Sequence, residues 1–292
     1  MTALRTALPA LRVVALPRPH PRLRTLSTAE LAGLLALVAI TVLSVFAGVI
    51  APHGASEITS VGPLHGPSTS AWFGTDEIGR DLFSRVLLGI RESWLSALAV
   101  ISVGALFGGL IGLVAGAAGG LVEGFLMRLT DLFLALPAPV LAIAVVASLG
   151  PSLFHALLAL SIVWWPWYAR IVRAEVRALA ARPHADAARV AGVGRLRMTF
   201  RHLLPGALTP VVVTMSLDVG NLVLALAGLS FIGLGAPPPS PELGAMSASG
   251  LSYLLGHAWV SVVPALGVAL LAFSANLAGD GLARLLNHRE RT

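Results

Sequence analysis

Six stretches of the chain are dominated by apolar residues and are long enough to cross a bilayer as helices, which takes about 20 residues. Hydrophobic residues make up 56% of the sequence and charged residues 12%, about half the charged fraction of a soluble domain. The pattern therefore predicts an all-α, polytopic membrane protein with six transmembrane helices. The expected spans are 30–51, 94–118, 126–149, 153–172, 207–234 and 258–282.

The distribution of arginine predicts the orientation in the membrane. With the N-terminus in the cytosol, alternation through six spans places 17 arginines inside and three outside. Cytosolic loops of membrane proteins carry an excess of basic residues, so both termini are expected to be cytosolic. The chain then divides into a cytosolic N-terminal tail (1–28), a transmembrane domain (29–285) with a cytosolic element at about 180–205, and a cytosolic C-terminal tail (286–292).

Two missing residue types narrow the chemistry. The chain has no cysteine, and all 20 of its Lys and Arg residues are arginine. The first fact excludes disulfides, thiolate metal sites and cysteine nucleophiles, and the second excludes a phosphate-loop ATPase and Schiff-base chemistry. An intramembrane hydrolase would also need a nucleophile paired with a base, and no histidine lies at membrane depth beside Ser230 or Ser274. We therefore expect no enzyme, no catalytic residue and no bound cofactor. The net charge of +6 reflects cytosolic arginine rather than a nucleic-acid partner.

Small residues and prolines indicate how the helices pack. Glycines recur along the second span at Gly104, Gly108, Gly109, Gly112, Gly116, Gly119 and Gly120. Such residues allow close helix contact in lipid, so we expect a tightly packed bundle. Pro137 and Pro139 are expected to kink or break the third span.

The most basic stretch lies between the fourth and fifth spans. Asp186, Ala187 and Ala188 belong to a helix-forming run that Gly192 interrupts, and a second short helix is expected to stop at Pro205. This predicts a helix–turn–helix on the cytosolic face, whose alanine face would fit a groove on a partner. An amphipathic hairpin lying on anionic lipid headgroups is the alternative.

This basic stretch resembles the EAA loop of bacterial ABC importer permeases, the coupling helix that docks into the ATPase subunit. The resemblance and the implied ATPase-coupling role rest on Asp186, Ala187, Ala188, Gly192, Arg201, Leu204 and Pro205. Three further stretches resemble the C-type permease subunit of dipeptide, oligopeptide and nickel importers. They are 73–81, 234–244 and 276–282, in the family's order.

The resemblance implies a type I ABC importer permease fold in the bacterial cytoplasmic membrane. The implied function is to form half of the pathway of an ATP-driven, binding-protein-dependent importer for di- or oligopeptides. The implied partners are a second permease subunit, two ATPase subunits that bind ATP and magnesium, an extracytoplasmic substrate-binding protein, and membrane lipid. A permease for nickel or another small solute, and a self-contained secondary transporter, remain as alternatives.

The stretch after the first span carries an external-loop motif. Its members are Gly74, Thr75, Asp76, Gly79, Arg80 and Asp81. The carboxylates are hard oxygen ligands that could hold a cation, but their spacing matches no calcium loop. We expect a helix start instead, with Thr75 as the N-cap and Arg80 paired locally, and no metal.

Asp218 is the one carboxylate well inside an expected span, and Asn221 follows one helical turn later. A charge at that depth is costly and should face the bundle interior or a wet cavity. Two hypotheses remain open: the pair lines the translocation pathway, or it locks one helix to its neighbour. Nearer the cytosol, the spacing of Arg128 and Asp131 predicts an ion pair along one helix.

Overall fold

The computed structural model of the protein describes residues 28–289, and the side chains of 28 and 31–283. The expected N-terminal tail, 1–28, lies outside this range except for its last residue. The C-terminal tail, 286–292, has no described side chain. Their cytosolic location therefore stays a prediction.

Helices make up most of the described chain, which contains no β-strand between residues 28 and 289. The α-helices are α1 (Thr28–Ile50), α2 (Leu82–Ala118), α3 (Gly120–Leu134), α4 (Ala138–Leu149), α5 (Leu153–Ala180), α6 (Pro183–Val190), α7 (Arg195–Arg197), α8 (Leu204–Phe231), α9 (Leu243–Gly250) and α10 (Trp259–Arg289). A π-helical segment (Met198–Leu203) joins α7 to α8. The all-helical prediction is confirmed for this part of the chain.

Several of these helices are long and apolar enough to cross a membrane. Four described helical segments meet that standard singly: α1, α2, the continuous α7–α8 segment and α10. Helices α3 and α4 meet it only as a pair, bent by 84°. The expected break at Pro137 and Pro139 is confirmed, because Pro137 is the N-cap of α4 and Pro139 lies in its first turn, where a missing N–H is harmless.

Helices α2 and α5 form the closest contact in the bundle, because α2 turns a row of glycines toward α5. A Cβ atom built on Gly108 would lie 2.1 Å from the carbonyl oxygen of Trp165. One built on Gly112 would lie 2.3 Å from the carbonyl oxygen of Ala169. At these two positions the glycines serve close packing, as the sequence predicts.

The second half of the bundle packs in the same way. Gly279 of α10 lies against α8, where a Cβ atom would come within 2.7 Å of the carbonyl oxygen of Ser216. Gly244 of α9 lies against α8, where a Cβ atom would come within 2.3 Å of the carbonyl oxygen of Ala227. The short helix α9 is therefore wedged onto α8 beside the loop that joins α1 to α2.

Candidate functional site

The predicted helix and turn of the basic stretch are present as α6 and the residues after it. Helix α6 ends at a turn in which Gly192 has φ +80°, a conformation that favours glycine. The N–H of Val193 donates to the carbonyl of Ala188 at 3.1 Å and closes this turn. Ala185 is fully buried against the bundle, whereas Asp186 is exposed. One face of α6 is thus anchored and the other is free for a partner.

A single arginine ties α6 to the end of α5. Nη1 of Arg189 donates to Oδ1 of Asp186 at 2.5 Å, and Nη2 donates to the carbonyl oxygen of Ala180 at 2.7 Å. The last carbonyls of a helix lack intrahelical partners and attract cations. Arg189 therefore adds a side-chain contact between α6 and the end of α5.

Three large apolar side chains project from the same region, and the sequence analysis did not single them out as a surface. Val190 is 90% exposed, Leu196 76% and Phe200 56%. We call them the apolar triad. Their signal in the sequence was the presence of isolated large apolar residues inside the most arginine-rich stretch of the chain. An exposed apolar set rimmed by charge is typical of an interaction surface.

The expected end of the second short helix at Pro205 is wrong. Leu204 and Pro205 form the first turn of α8, and the π-helical segment runs into them without a break. A proline is tolerated in a first helical turn, and the wider π turn leaves room for its ring. Arg201 is exposed on this segment, while Leu203 is buried and fixes the segment to the bundle.

Carboxylates of α3 pair with arginines of α5 near the same end of the bundle. Oε1 of Glu123 accepts from Nε of Arg173 at 2.7 Å, and Oδ1 of Asp131 accepts from Nη2 of Arg170 at 2.6 Å. The predicted pair of Arg128 with Asp131 is therefore wrong. Helix α3 packs against α5, so the carboxylate of Asp131 is directed to the neighbouring helix rather than along its own.

The external-loop motif folds into a buried turn ahead of α2. Nε of Arg80 donates to Oδ2 of Asp76 at 2.5 Å, and its Nη2 donates to Oε1 of Glu77 at 3.2 Å. Arg80 is 5% exposed and Asp76 3%. Gly79, with φ +90°, lets the chain reverse between them. The predicted local pairing of Arg80 is confirmed.

The N-cap of α2 is Asp81, so the expectation for Thr75 is wrong. Oδ2 of Asp81 accepts from the N–H and the hydroxyl of Ser84, at 2.9 and 2.6 Å. The hydroxyl of Thr75 instead donates to the carbonyl of Gly62 at 2.7 Å and accepts from the N–H of His65 at 2.9 Å. The turn that contains Arg80 lies between Thr75 and α2. The N-cap of α2 is therefore Asp81, later in the chain than Thr75.

Charged groups of α2 hold the proline-rich loop that follows α8. Nη1 of Arg85 donates to the carbonyl oxygens of Ala55 at 2.5 Å and Pro239 at 3.2 Å. The hydroxyl of Ser240 lies 3.0 Å from both carboxylate oxygens of Glu92. The sequence analysis missed these contacts because their partners are about 150 residues apart. They join the loop before α2 to the loop after α8.

Glu242 caps α9 from a fully buried position. Its Oε2 accepts from the N–H of Ala245 at 2.8 Å, while Oε1 has no partner among the described residues. Burial raises the pKa of Glu242 above its ordinary value, and the nearby carboxylate of Glu92 raises it further, against the hydrogen bonds that lower it. The folded protein therefore binds a proton on this side chain more tightly than an exposed glutamate would.

Asp218 lies where α8 faces α5. Its Oδ2 accepts from the hydroxyl of Tyr168 at 2.9 Å, and the side chains of Asn221 and Trp164 lie beside the same carboxylate. Tyr168 is fully buried, whereas Asp218 is half-buried and Asn221 is exposed. The carboxylate thus joins two helices and also reaches an open face of the bundle.

An apolar cavity of about 250 Å³ lies between α4, α5 and α8. Its walls are Ala138, Pro139, Ala142, Ile143, Leu160, Trp164, Ala225, Gly228, Leu229 and Ile232. Trp164 belongs both to the wall and to the surroundings of Asp218. The side chain of Trp164 therefore contacts both the carboxylate of Asp218 and the apolar cavity.

The sequence matches a protein family over more than half of its length. Residues 108–292 match the family described as "Binding-protein-dependent transport system inner membrane component". The chain is 40% identical over 251 residues to the probable D,D-dipeptide transport system permease protein DdpC of Escherichia coli K12, covering 86% of this chain and 84% of that protein. It is 39% identical over 263 residues to the di/tripeptide transport system permease protein DppC of Pseudomonas aeruginosa, covering 88% and 87%.

The fold also has a solved counterpart. A chain of the MetNI methionine ABC transporter, in an inward-facing conformation, superposes with a TM-score of 0.57 at 20% identity. The match covers 70% of this chain and 97% of that one, so it speaks for the fold alone. From the family match and the identities over most of its length, the chain belongs to the family of binding-protein-dependent transport system inner membrane components.

Proposed function

We propose that this chain forms half of the membrane pathway of an ATP-driven importer for di- or oligopeptides. The observation that carries the proposal is the 35–40% identity, over 84% or more of the chain, to permease proteins of dipeptide and peptide transport systems. The chain itself is a transport subunit and not an enzyme. ATP and magnesium would be bound by two partner ATPase subunits, and substrate would arrive on an extracytoplasmic binding protein.

Six helical passes are proposed for the membrane domain. Helices α1, α2, α8 and α10 supply four passes and the bent α3–α4 pair a fifth. Helix α5 is the proposed sixth, because its 28 residues give a length of about 42 Å and it packs in the centre of the bundle. Its tryptophans, tyrosine and proline lower its mean hydropathy without shortening it. Both termini are then cytosolic, in keeping with the arginine distribution.

The coupling role is assigned to α6 and the segment that leads into α8. Asp186, Ala187 and Ala188 lie on α6, Gly192 forms its terminal turn, and Arg201, Leu204 and Pro205 continue into α8. The apolar triad would insert into a groove on the ATPase, with the surrounding arginines facing acidic groups. Movement of the ATPase subunits would then reach the bundle through Arg189 and Ala180.

A second permease subunit is expected because this chain leaves part of α8 uncovered. Asn221, Leu224 and Gly228 are exposed on that helix, and Asn221 lies beside the polar carboxylate of Asp218. An intramembrane polar group should not face lipid. We place Asp218 and Asn221 on the pathway between the two subunits, with Tyr168 holding Asp218 in position.

Transport of nickel or another small solute is the alternative within the same family frame. A self-contained secondary transporter is less well supported, because such a protein needs intramembrane ionisable groups for ion coupling. Within the described spans, the carboxylates Glu123 and Asp131 are already paired with arginines. Asp218, the carboxylate in the middle of α8, would have to carry most of the coupling.

Affinity purification of the tagged chain from its native membrane in mild detergent tests the proposal. We expect an ATPase and a second permease to co-purify, and the ATPase to be lost from a Val190→Asp/Leu196→Asp variant. Ile58→Asp is the matched control, because Ile58 is also an exposed apolar residue (64% exposed) but lies in the loop before α2. Recovery of the chain alone, or of a homo-oligomer that the double variant leaves unchanged, would overturn the proposal.

A further inference from the structure

We infer that Asp218, Asn221 and the neighbouring apolar cavity form one binding site for a primary ammonium group that carries an apolar substituent. In an importer of peptides this ligand is the N-terminal residue of the peptide. That identification rests on the proposed function, whereas the cation site itself rests on the geometry of α5 and α8.

Asp218 lies far from both ends of a spanning helix. It lies in the middle of the 28-residue helix α8 (Leu204–Phe231), about 20 Å along the axis from either end. A carboxylate at that depth is stable only beside a polar group, a counter-ion or water. Among the side chains of residues 31–283, it accepts from Tyr168 but forms no ion pair with an arginine or histidine. The carboxylate therefore has polar neighbours but no counter-charge among those side chains, and a ligand cation could supply one.

Polar and apolar residues are aligned on one face of α8. Asn221, Ala225, Gly228 and Ile232 follow Asp218 at spacings of 3, 7, 10 and 14 residues, which place all five on the same face. The last three line the cavity of about 250 Å³. A ligand whose cation meets Asp218 would therefore extend its substituent along this face toward the cavity, whose nearest lining residue on α8, Ala225, lies about 10 Å further along the axis.

The shape and chemistry of the cavity determine which group it can hold. Its volume exceeds that of a large aliphatic side chain, and its lining is almost entirely apolar. Gly228 leaves an opening in the wall, since no atom of the described chain lies within 4 Å of where its Cβ would be. Trp164 lines the cavity and also hydrogen-bonds the carboxylate of Asp218. The site thus suits an amine with an apolar group attached.

The test uses the absence of cysteine from the chain, which allows one thiol to be introduced as a probe. Asn221→Cys, in the purified complex in nanodiscs, is labelled with the cationic aminoethyl and the anionic sulfonatoethyl methanethiosulfonates. Mass spectrometry of this chain gives the two rates. We expect the ratio of cationic to anionic rates to fall about tenfold when Asp218→Asn is added. Asp131→Asn is the matched control and should leave the ratio unchanged, because Asp131 already pairs with Arg170.

Asp218→Asn removes the negative charge but keeps an oxygen that can accept from Tyr168. It therefore distinguishes the effect of the charge from the effect of the hydrogen bond that joins α8 to α5. Tyr168→Phe removes the hydrogen bond but keeps the charge and should preserve the cation preference. An unlabelled thiol in the assembled complex, or a ratio indifferent to Asp218→Asn, would show a structural lock or a counter-ion from the second permease, and either overturns the inference.

The ligand class is tested with leucyl-leucine and its N-acetyl derivative at equal concentration. We expect the free dipeptide to slow aminoethyl labelling of Asn221→Cys at least threefold and the acetylated form to have no effect. Equal protection, or none, would overturn the assignment to an amino terminus. The proposed function fails separately, if the wild-type complex with its binding protein takes up no peptide into proteoliposomes while the labelling results hold.

Discussion

Nη2 of Arg189 donates a hydrogen bond to the carbonyl oxygen of Ala180 at 2.7 Å and thereby joins the exposed helix α6 to the end of α5. The same guanidinium pairs with Asp186 within α6. Helix α5 in turn packs through its backbone against the glycines of α2. A rigid connection therefore runs from the proposed ATPase surface into the centre of the bundle.

Replacement of Arg189 by alanine is expected to uncouple the ATPase from transport. The lost contact is half-exposed and contributes about 1 kcal/mol, which changes the equilibrium between tethered and free α6 about fivefold. We expect substrate uptake by proteoliposomes to fall, by at most about fivefold, while ATPase subunits still co-purify. Arg128→Ala is the comparison, because it also removes an exposed arginine but lies on α3, outside the proposed coupling element. Full uptake by the Arg189→Ala complex would contradict a mechanical role for this tether.

Replacement of Gly108 by alanine is expected to destabilise the bundle. The added Cβ atom would lie 2.1 Å from the carbonyl oxygen of Trp165, and backbone atoms cannot move aside as a flexible side chain would. Overpacking of this kind costs about 1–3 kcal/mol, and sometimes more. The measurement is the thermal unfolding midpoint of the purified complex in detergent.

The matched control for Gly108 is Gly124→Ala in α3. Gly124 is also helical, but no atom of the described chain lies within 4 Å of the position that an added methyl group would take. Its replacement should change stability by less than about 0.5 kcal/mol. If both alanine variants unfold at the wild-type temperature, the close approach of α2 and α5 is not a determinant of stability.

Replacement of Asp76 by asparagine is expected to be the most damaging single change in the external loop. Arg80 and Arg85 both lie against Oδ2 of Asp76, at 2.5 and 3.5 Å, and would lose their shared counter-charge while buried. Breaking a buried ion pair by removing one partner costs about 3–5 kcal/mol. The unfolding midpoint of the complex should fall accordingly.

Glu77→Gln is the comparison for Asp76. Glu77 is more exposed, and its one ion pair among the described side chains is with Nη2 of Arg80 at 3.2 Å. Removing its charge should cost less than about 1 kcal/mol. Equal effects of the two substitutions would mean that Arg80 and Arg85 do not depend on Asp76.

Local sequence patterns predicted the features that depend on the backbone conformation of neighbouring residues. They failed for side chains whose hydrogen-bond partner lies far away in the chain. The break at Pro137 and the turn at Gly192 follow from the conformations those residues allow. Thr75 looked like an N-cap because caps are recognised from neighbouring residues, yet its hydroxyl is committed to a carbonyl 13 residues earlier. Asp131 likewise found Arg170, 39 residues away, and no helical spacing reports such a contact.

The residues of the candidate site were likewise predicted only in part. Asp218 and Asn221 were identified from charge at membrane depth, which is a property of the sequence. Tyr168 and the cavity were not, because they depend on how α5 and α4 lie against α8. The exposure of Val190 and Leu196 also needed the structure, since the pattern alone cannot tell a projecting apolar residue from a buried one.

The stability of the protein is expected to depend on pH through Glu242. Burial raises the pKa of this carboxyl above its ordinary value of 4.5, and Glu92 adds to the effect. The folded state therefore holds the proton more tightly than the unfolded chain does. The resulting stabilisation is fully present below about pH 4.5 and is lost as the pH rises through the higher, folded-state pKa.

The measurement is the unfolding midpoint of the complex as a function of pH for wild type and Glu242→Gln. Glutamine keeps an oxygen for the N–H of Ala245, now 2.8 Å from Oε2 of Glu242, but cannot ionise. We expect the difference between the two proteins to grow in favour of the variant as the pH rises above 4.5. Parallel pH profiles would mean that Glu242 titrates alike in the folded and unfolded chain, and that water reaches its unpartnered oxygen.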